Sequence, residues 1–177
     1  MVSFLNQKGY AAVAPSVSPL FKPYPALLKS LNVDSLPVGR TSNWSERHAL
    51  YAAGMGTFGL HDGLITAKGT AMRCGSVVVN LRLPPTPREY TLHNEYCPFF
   101  SDKSCAACID RCPAGAITAH GHNKTQCDSY GHGHIAHLRE WYDVPAFGCA
   151  LCMTGVPCTS QIPPAASQVR GKKEAVH

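Results

Sequence analysis

The placement of cysteines constrains this chain more than any other feature. Cys105, Cys108 and Cys112 lie three and four residues apart with Pro113 directly after, and Cys97, Cys127, Cys149, Cys152 and Cys158 complete a set of eight between positions 97 and 158. Tight turns aim thiolates spaced in this way at a common soft centre, and the proline stops the chain from running on as a helix. From Cys97 to Pro163 the remaining sequence is loops and short turns. Such a segment cannot bury a large apolar core unaided, so bound metal is expected to supply part of its folding free energy.

The spacing from Cys105 to Pro113 is the core of the run that holds cubane iron–sulfur clusters in bacterial two-cluster ferredoxins. Cys74, beside a strand, reads as a buried apolar residue. The other eight cysteines divide into two sets of four, the requirement of two [4Fe–4S] clusters. In such proteins the cysteine before the proline ligates the other cluster, so the sets interleave. The expected ligands are therefore Cys97, Cys105, Cys108 and Cys158 for cluster one, and Cys112, Cys127, Cys149 and Cys152 for cluster two.

One position departs from the bacterial run. Counting back from Cys105, its first thiolate would fall at 102, which is Asp102. Iron–sulfide centres are soft and prefer sulfur to oxygen, so Cys97 is the expected ligand and Asp102 the alternative. A zinc site on Cys105, Cys108, Cys149 and Cys152 is the non-redox alternative, but it leaves four cysteines without a role. The glycine-interleaved His120, His122, His132 and His134, with His137, are expected in solvent and outside the ligand set.

Composition narrows the partners. The formal charge is +5, but two clusters with four thiolates each carry roughly −2 apiece when oxidised, leaving the loaded protein near +1. Nucleic-acid binding is therefore weakly supported. There is no signal-peptide pattern at Met1–Lys8 and no apolar run of transmembrane length, so a soluble, cytoplasmic protein is expected. In that compartment thiols stay reduced, and cysteine clusters favour metal over disulfides.

Along the chain, Phe4–Gly9 reads as the last turn of a helix with a terminal glycine, and Tyr10–Ala14 as a short strand. The chain thus opens in mid-motif. Pro15–Arg40 is mostly loop, with a helical turn at Ala26–Leu31. Asn43 and Glu46 have the spacing of a capping box, which predicts a helix over Trp44–Ala53. Gly54-Met55-Gly56-Thr57-Phe58-Gly59 matches G-x-G-x-x-G, but a helix precedes it and strand-like sequence follows, the reverse of a dinucleotide site. It reads instead as a glycine-rich helix exit that lets backbone approach a ligand. Leu64–Thr66 and Ser76–Leu83 read as strands joined by a turn at Lys68-Gly69. Pro84–Pro87 is the expected boundary between two lobes.

The stretch Glu46-Arg47 to Gly59, then Leu64–Thr66, a strand and the two cysteine groups, resembles the later part of epoxyqueuosine reductase and its relatives, the corrinoid reductive dehalogenases. The resemblance covers roughly residues 40 to 163. It implies an α+β chain: a partial nitroreductase-like α/β lobe over 1–86, a two-[4Fe–4S] ferredoxin-like lobe over 87–163, and a disordered tail over 164–177. It also implies a cobalamin near Gly54, Gly56 and Gly59, with electrons reaching it through the clusters from a redox partner protein. Epoxyqueuosine reductase carries an aspartate proton donor seven residues before the arginine of this motif. That position is Arg40 here. The alternatives are a free-standing ferredoxin-like carrier without corrinoid and a zinc-stabilised RNA-binding module.

Overall fold

The structure, a computed structural model, describes residues 1–24, 26–32, 41–144 and 148–164. In chain order its helices are α1 (Val2–Gln7), α2 (Ala26–Leu31), α3 (Glu46–Ala52), α4 (Pro98–Ser101), α5 (Ala107–Asp110), α6 (Lys124–Ser129) and α7 (Leu138–Trp141). The strands are β1 (Ala12–Val13), β2 (Gly56–Phe58), β3 (Leu64–Thr66), β4 (Val78–Val79), β5 (Ile117–Thr118) and β6 (Gly121–His122). Among the described residues the sheets are three, each two-stranded and antiparallel: β1 with β4, β2 with β3, and β5 with β6. The chain divides into two compact units, Met1–Met55 with Arg73–Glu89, and Gly56–Met72 with the described residues from Tyr90 on. The 33–40 part of the expected loop and the expected tail beyond Pro164 lie outside the described residues.

In the first unit, α1 ends at Lys8 and Gly9 takes φ +84°, the left-handed conformation that suits glycine after a helix. Helix α3 begins later than the sequence suggests. Asn43 does not cap it, because its side chain is engaged with the loop before it, accepting from Lys22 N–H and donating to the Leu20 carbonyl. Ser45 is the cap, its Oγ accepting from the His48 N–H. The Glu46 carboxylate makes no hydrogen bond, so the expected capping box does not form. At the other end, Gly54 N–H donates to the Tyr51 carbonyl and Met55 N–H to the Leu50 carbonyl, with Gly54 at φ +79°. This is the Schellman closure, and it accounts for a glycine at 54.

The second unit is built on the β2–β3 hairpin. Its register pairs Gly56 with Thr66, Thr57 with Ile65, and Phe58 with Leu64. Every residue of β3 is buried, and Thr57 and Ile65 are wholly so. The Tyr96 N–H donates to Thr57 Oγ1 at 2.9 Å, tying the chain just before Cys97 to the hairpin. On the far side, Thr70 and Ala71 N–H groups donate to the Cys158 and Thr159 carbonyls. The two ends of the cysteine region are thereby fastened to one hairpin.

Two sequence expectations differ here. Leu64–Thr66 pairs with the glycine-rich stretch at Gly56–Phe58, and Val78–Val79 pairs with β1, so the expected hairpin between the two apolar runs is absent. The 56–72 segment belongs with the second unit, because its apolar face is buried there. Gly56 permits the pairing: a Cβ on it would sit 2.2 Å from the Ile65 carbonyl oxygen, so only glycine lets β2 approach β3 this closely.

Candidate metal centre

Short elements position each cysteine. Cys97 is the N-cap of α4, with Pro98 at its first position. Cys108 lies within α5, and Cys112 follows its end. Cys127 is on α6, Cys152 is in a 3-10 turn over Leu151–Met153, and Cys158 lies on the segment bonded to Thr70.

The structure gathers eight cysteines around two cavities. One, of about 310 Å³ including the part open to solvent, is lined by Cys97, Cys105, Cys108 and Cys158. The other, of about 300 Å³ on the same measure, is lined by Cys112, Cys127, Cys149 and Cys152. No thiol is shared between them. Most of the remaining lining is apolar, including Ile65, Phe99 and Val156 around the first and Pro113 and Ile117 around the second. Cys74 lines neither and belongs to the first unit.

Asp102 also lines neither cavity. It is exposed, and its Oδ1 accepts from the Ser104 N–H at 2.9 Å. The hydrogen bonds from Ser104 hold its carboxyl below the ordinary aspartate range. The four cysteines of the zinc alternative are split, Cys105 and Cys108 at one cavity and Cys149 and Cys152 at the other. Among the described residues, no group of three or more His, Cys, Asp or Glu side chains is placed to hold a single metal ion. A tetrahedral zinc bound by thiolates would need its sulfurs about 3.8 Å apart.

Burial and mutual proximity raise the thiols of both quartets. Burial, followed by the neighbouring Cys97, Cys105 and Cys158, pushes the Cys108 thiol up to about 12. Burial and then Cys127, Cys149 and Cys112 push Cys152 to about 11, and burial and then Cys97 push Cys158 to about 11. Cys97 and Cys127 are raised as well, chiefly by burial. Thiolates crowded into apolar cavities are unfavourable without a compensating cation. A metal held by a quartet would reverse that sign.

Two histidines line the cavities: His61, which the sequence does not single out, and His122, which it places in solvent. His61 is buried beside the first cavity, with Nε2 3.4 Å from Cys158 Sγ. His122 lines the second cavity, contrary to its expected place in solvent; its Nδ1 is 3.2 Å from Asp62 Oδ2, and its Nε2 is buried without a hydrogen-bond partner. The β5–β6 hairpin draws His122 inward. His120, His132, His134 and His137 are exposed. The one signal for His61 in the sequence is its position between Gly59 and Gly63.

That position also bears on the glycine-rich stretch. A Cβ on Gly59 would lie 2.8 Å from the His61 ring, so a glycine at 59 is required by packing inside the second unit. Gly54 closes α3 and Gly56 admits β3, so each of the three glycines has a role within the fold.

The chain matches no protein-family model, no curated protein and no solved structure. Among the described residues, no helix is long and apolar enough to cross a membrane.

Proposed function

We propose that this chain is an iron–sulfur electron-transfer protein. Cys97, Cys105, Cys108 and Cys158 would hold one [4Fe–4S] cluster, and Cys112, Cys127, Cys149 and Cys152 the other. The observation that carries this reading is the division of eight cysteines into two quartets, each around its own cavity, with no thiol shared. A [4Fe–4S] cluster supplies a one-electron couple whose potential is set by net charge, hydrogen bonds to sulfur and exposure. The chain's own residues hold the sulfurs in place, limit water with apolar walls and direct N–H groups at cysteine sulfur. Besides His61 at Cys158, the Ala116 N–H donates to Cys112 Sγ at 3.3 Å.

The recipient we propose is a cobalamin in a reductase like the epoxyqueuosine reductases and reductive dehalogenases, a reading that rests on the sequence resemblance. A second reading, a free-standing ferredoxin-like carrier, is favoured by the internal roles of Gly54, Gly56 and Gly59, which account for those three glycines without a corrin.

One preparation tests both. Anaerobically reconstituted protein is expected to carry about eight iron and eight sulfide per chain. Colourless protein with stoichiometric zinc would overturn the iron–sulfur reading. Titration with cobalamin then separates the recipients: a shifted cobalt spectrum supports the corrinoid reading, and no shift in fully loaded protein supports the free carrier.

A further inference from the structure

His61 is 4% exposed and held on both sides. The Gly63 N–H donates to its Nδ1 at 2.9 Å, so that nitrogen is the acceptor and the ring proton resides on Nε2. Nε2 faces Cys158 Sγ at 3.4 Å, a distance suited to an N–H···S hydrogen bond. The ring is seated between two glycines. A Cβ on Gly59 would come within 2.9 Å of Nε2, and one on Gly63 within 2.6 Å of Nδ1 and 2.7 Å of Met153 Sδ. The backbone around His61 therefore fixes its tautomer and its orientation toward Cys158 Sγ.

We propose that His61 is a positioning residue that raises the reduction potential of the cluster held by Cys97, Cys105, Cys108 and Cys158, by donating its Nε2–H to Cys158 Sγ. The inference rests on the two-cluster reading above. Reduction adds one negative charge to the cluster and its thiolates, and an N–H dipole aimed at sulfur stabilises the more negative state more strongly. At the second cavity the donor to sulfur is the backbone N–H of Ala116, which side-chain substitution does not remove. His61 is thus a lever on one cluster of the two, and the glycines at 59 and 63 are its seat.

The test is a redox titration of the reconstituted full chain, followed by electron paramagnetic resonance, on wild type, His61→Leu and His61→Gln. A Cys97→Ser variant, which perturbs one cluster only, assigns the signals. With His61→Leu the first cluster's reduced-to-oxidised ratio at fixed potential is expected to fall about tenfold, a negative shift of about 59 mV for a one-electron couple, with the second cluster unmoved. His61→Gln, which offers an amide N–H near Nε2, is expected to restore most of the shift. Unchanged potentials in fully loaded His61→Leu, equal shifts of both clusters, or a His61→Gln that behaves like His61→Leu would each overturn the proposal.

Should His61→Leu fail to load, the interaction is read in intact protein. In ¹⁵N-histidine-labelled His122→Asn protein, electron–nuclear double resonance is expected to show one histidine nitrogen coupled to the reduced first cluster. Absence of that coupling also overturns the proposal. Wild type that holds no iron and sulfide would instead overturn the underlying two-cluster reading.

Discussion

Replacing Cys97 and Asp102 separately tests the ligand assignment where the sequence departs from the bacterial run. Cys97 is 7% exposed and lines the same cavity as Cys105, Cys108 and Cys158. Its carbonyl accepts from the Phe100 and Ser101 N–H groups at 3.0 and 3.1 Å, so the turn that begins α4 holds it. Asp102, at the end of that turn, is exposed and bonded to the Ser104 N–H. Cys97→Ala leaves three thiols at the first cavity and all four at the second. Iron is therefore expected to fall from about eight to about four per chain, with sulfide and visible absorption falling in proportion. Asp102→Ala is expected to keep about eight iron. The assay is iron and acid-labile sulfide per chain after anaerobic reconstitution, with wild type alongside. The reasoning fails if Asp102→Ala loses half the iron while Cys97→Ala keeps it all. Loss of every iron from Cys97→Ala would refute the independence of the two quartets.

Three further outcomes follow from the second unit. Thr57→Val leaves the Tyr96 N–H without its acceptor beside a wholly buried side chain, and is expected to cost about 2 kcal/mol in denaturant unfolding; an unchanged midpoint would contradict the hydrogen bond's role. Gly56→Ala drives a Cβ into the Ile65 carbonyl and is expected to destabilise the unit by about 3 kcal/mol, whereas a neutral result would mean that β2 and β3 can move apart freely. In chelator-stripped protein, the folded state keeps protons on thiols that the unfolded chain gives up near 9.0, since Cys152 and Cys158 lie near 11 and Cys108 near 12. Between those values the native state binds more protons, so stability falls as pH rises. Far-UV circular dichroism of the stripped chain should decline from about pH 9 to about pH 12 while the loaded protein holds; a flat signal across that window would rule out crowded, buried thiols.

The structure groups the eight cysteines around two cavities in the same two sets that the spacing suggests. Cys105, Cys108 and Cys112 lie on one turn-rich stretch, and the interleaving rule for two-cluster ferredoxins assigns Cys158 to the first set and Cys112 to the second from position alone. Strand partners carry no such code. Leu64–Thr66 pairs with Gly56–Phe58, which lies nearer in sequence but reads as a glycine-rich exit and not as a strand, and Val78–Val79 pairs with Ala12–Val13. The cap of α3 differs by two residues because Asn43 and Ser45 are both good caps, and the loop at Leu20 and Lys22 engages Asn43. His61 was missed because a lone histidine has no period; its signal lay in Gly59 and Gly63, whose close contacts arise only once the hairpin has folded.

The same residues explain why so irregular a unit can be ordered at all. Among its described elements the longest strand has three residues and the longest α-helix six, lengths at which neither is stable alone in water. Its buried apolar side chains, including Leu60, Leu64, Ile65, Tyr96, Ile117 and Val156, form a thin core. What joins the distant segments is the thiol quartets: the first brings 97–108 to 158, and the second brings 112 and 127 to 149–152. A metal cluster at each quartet would cross-link three or four of these segments at once. That is the role an apolar core fills in a larger domain, and loss of such clusters would lower the stability of this unit.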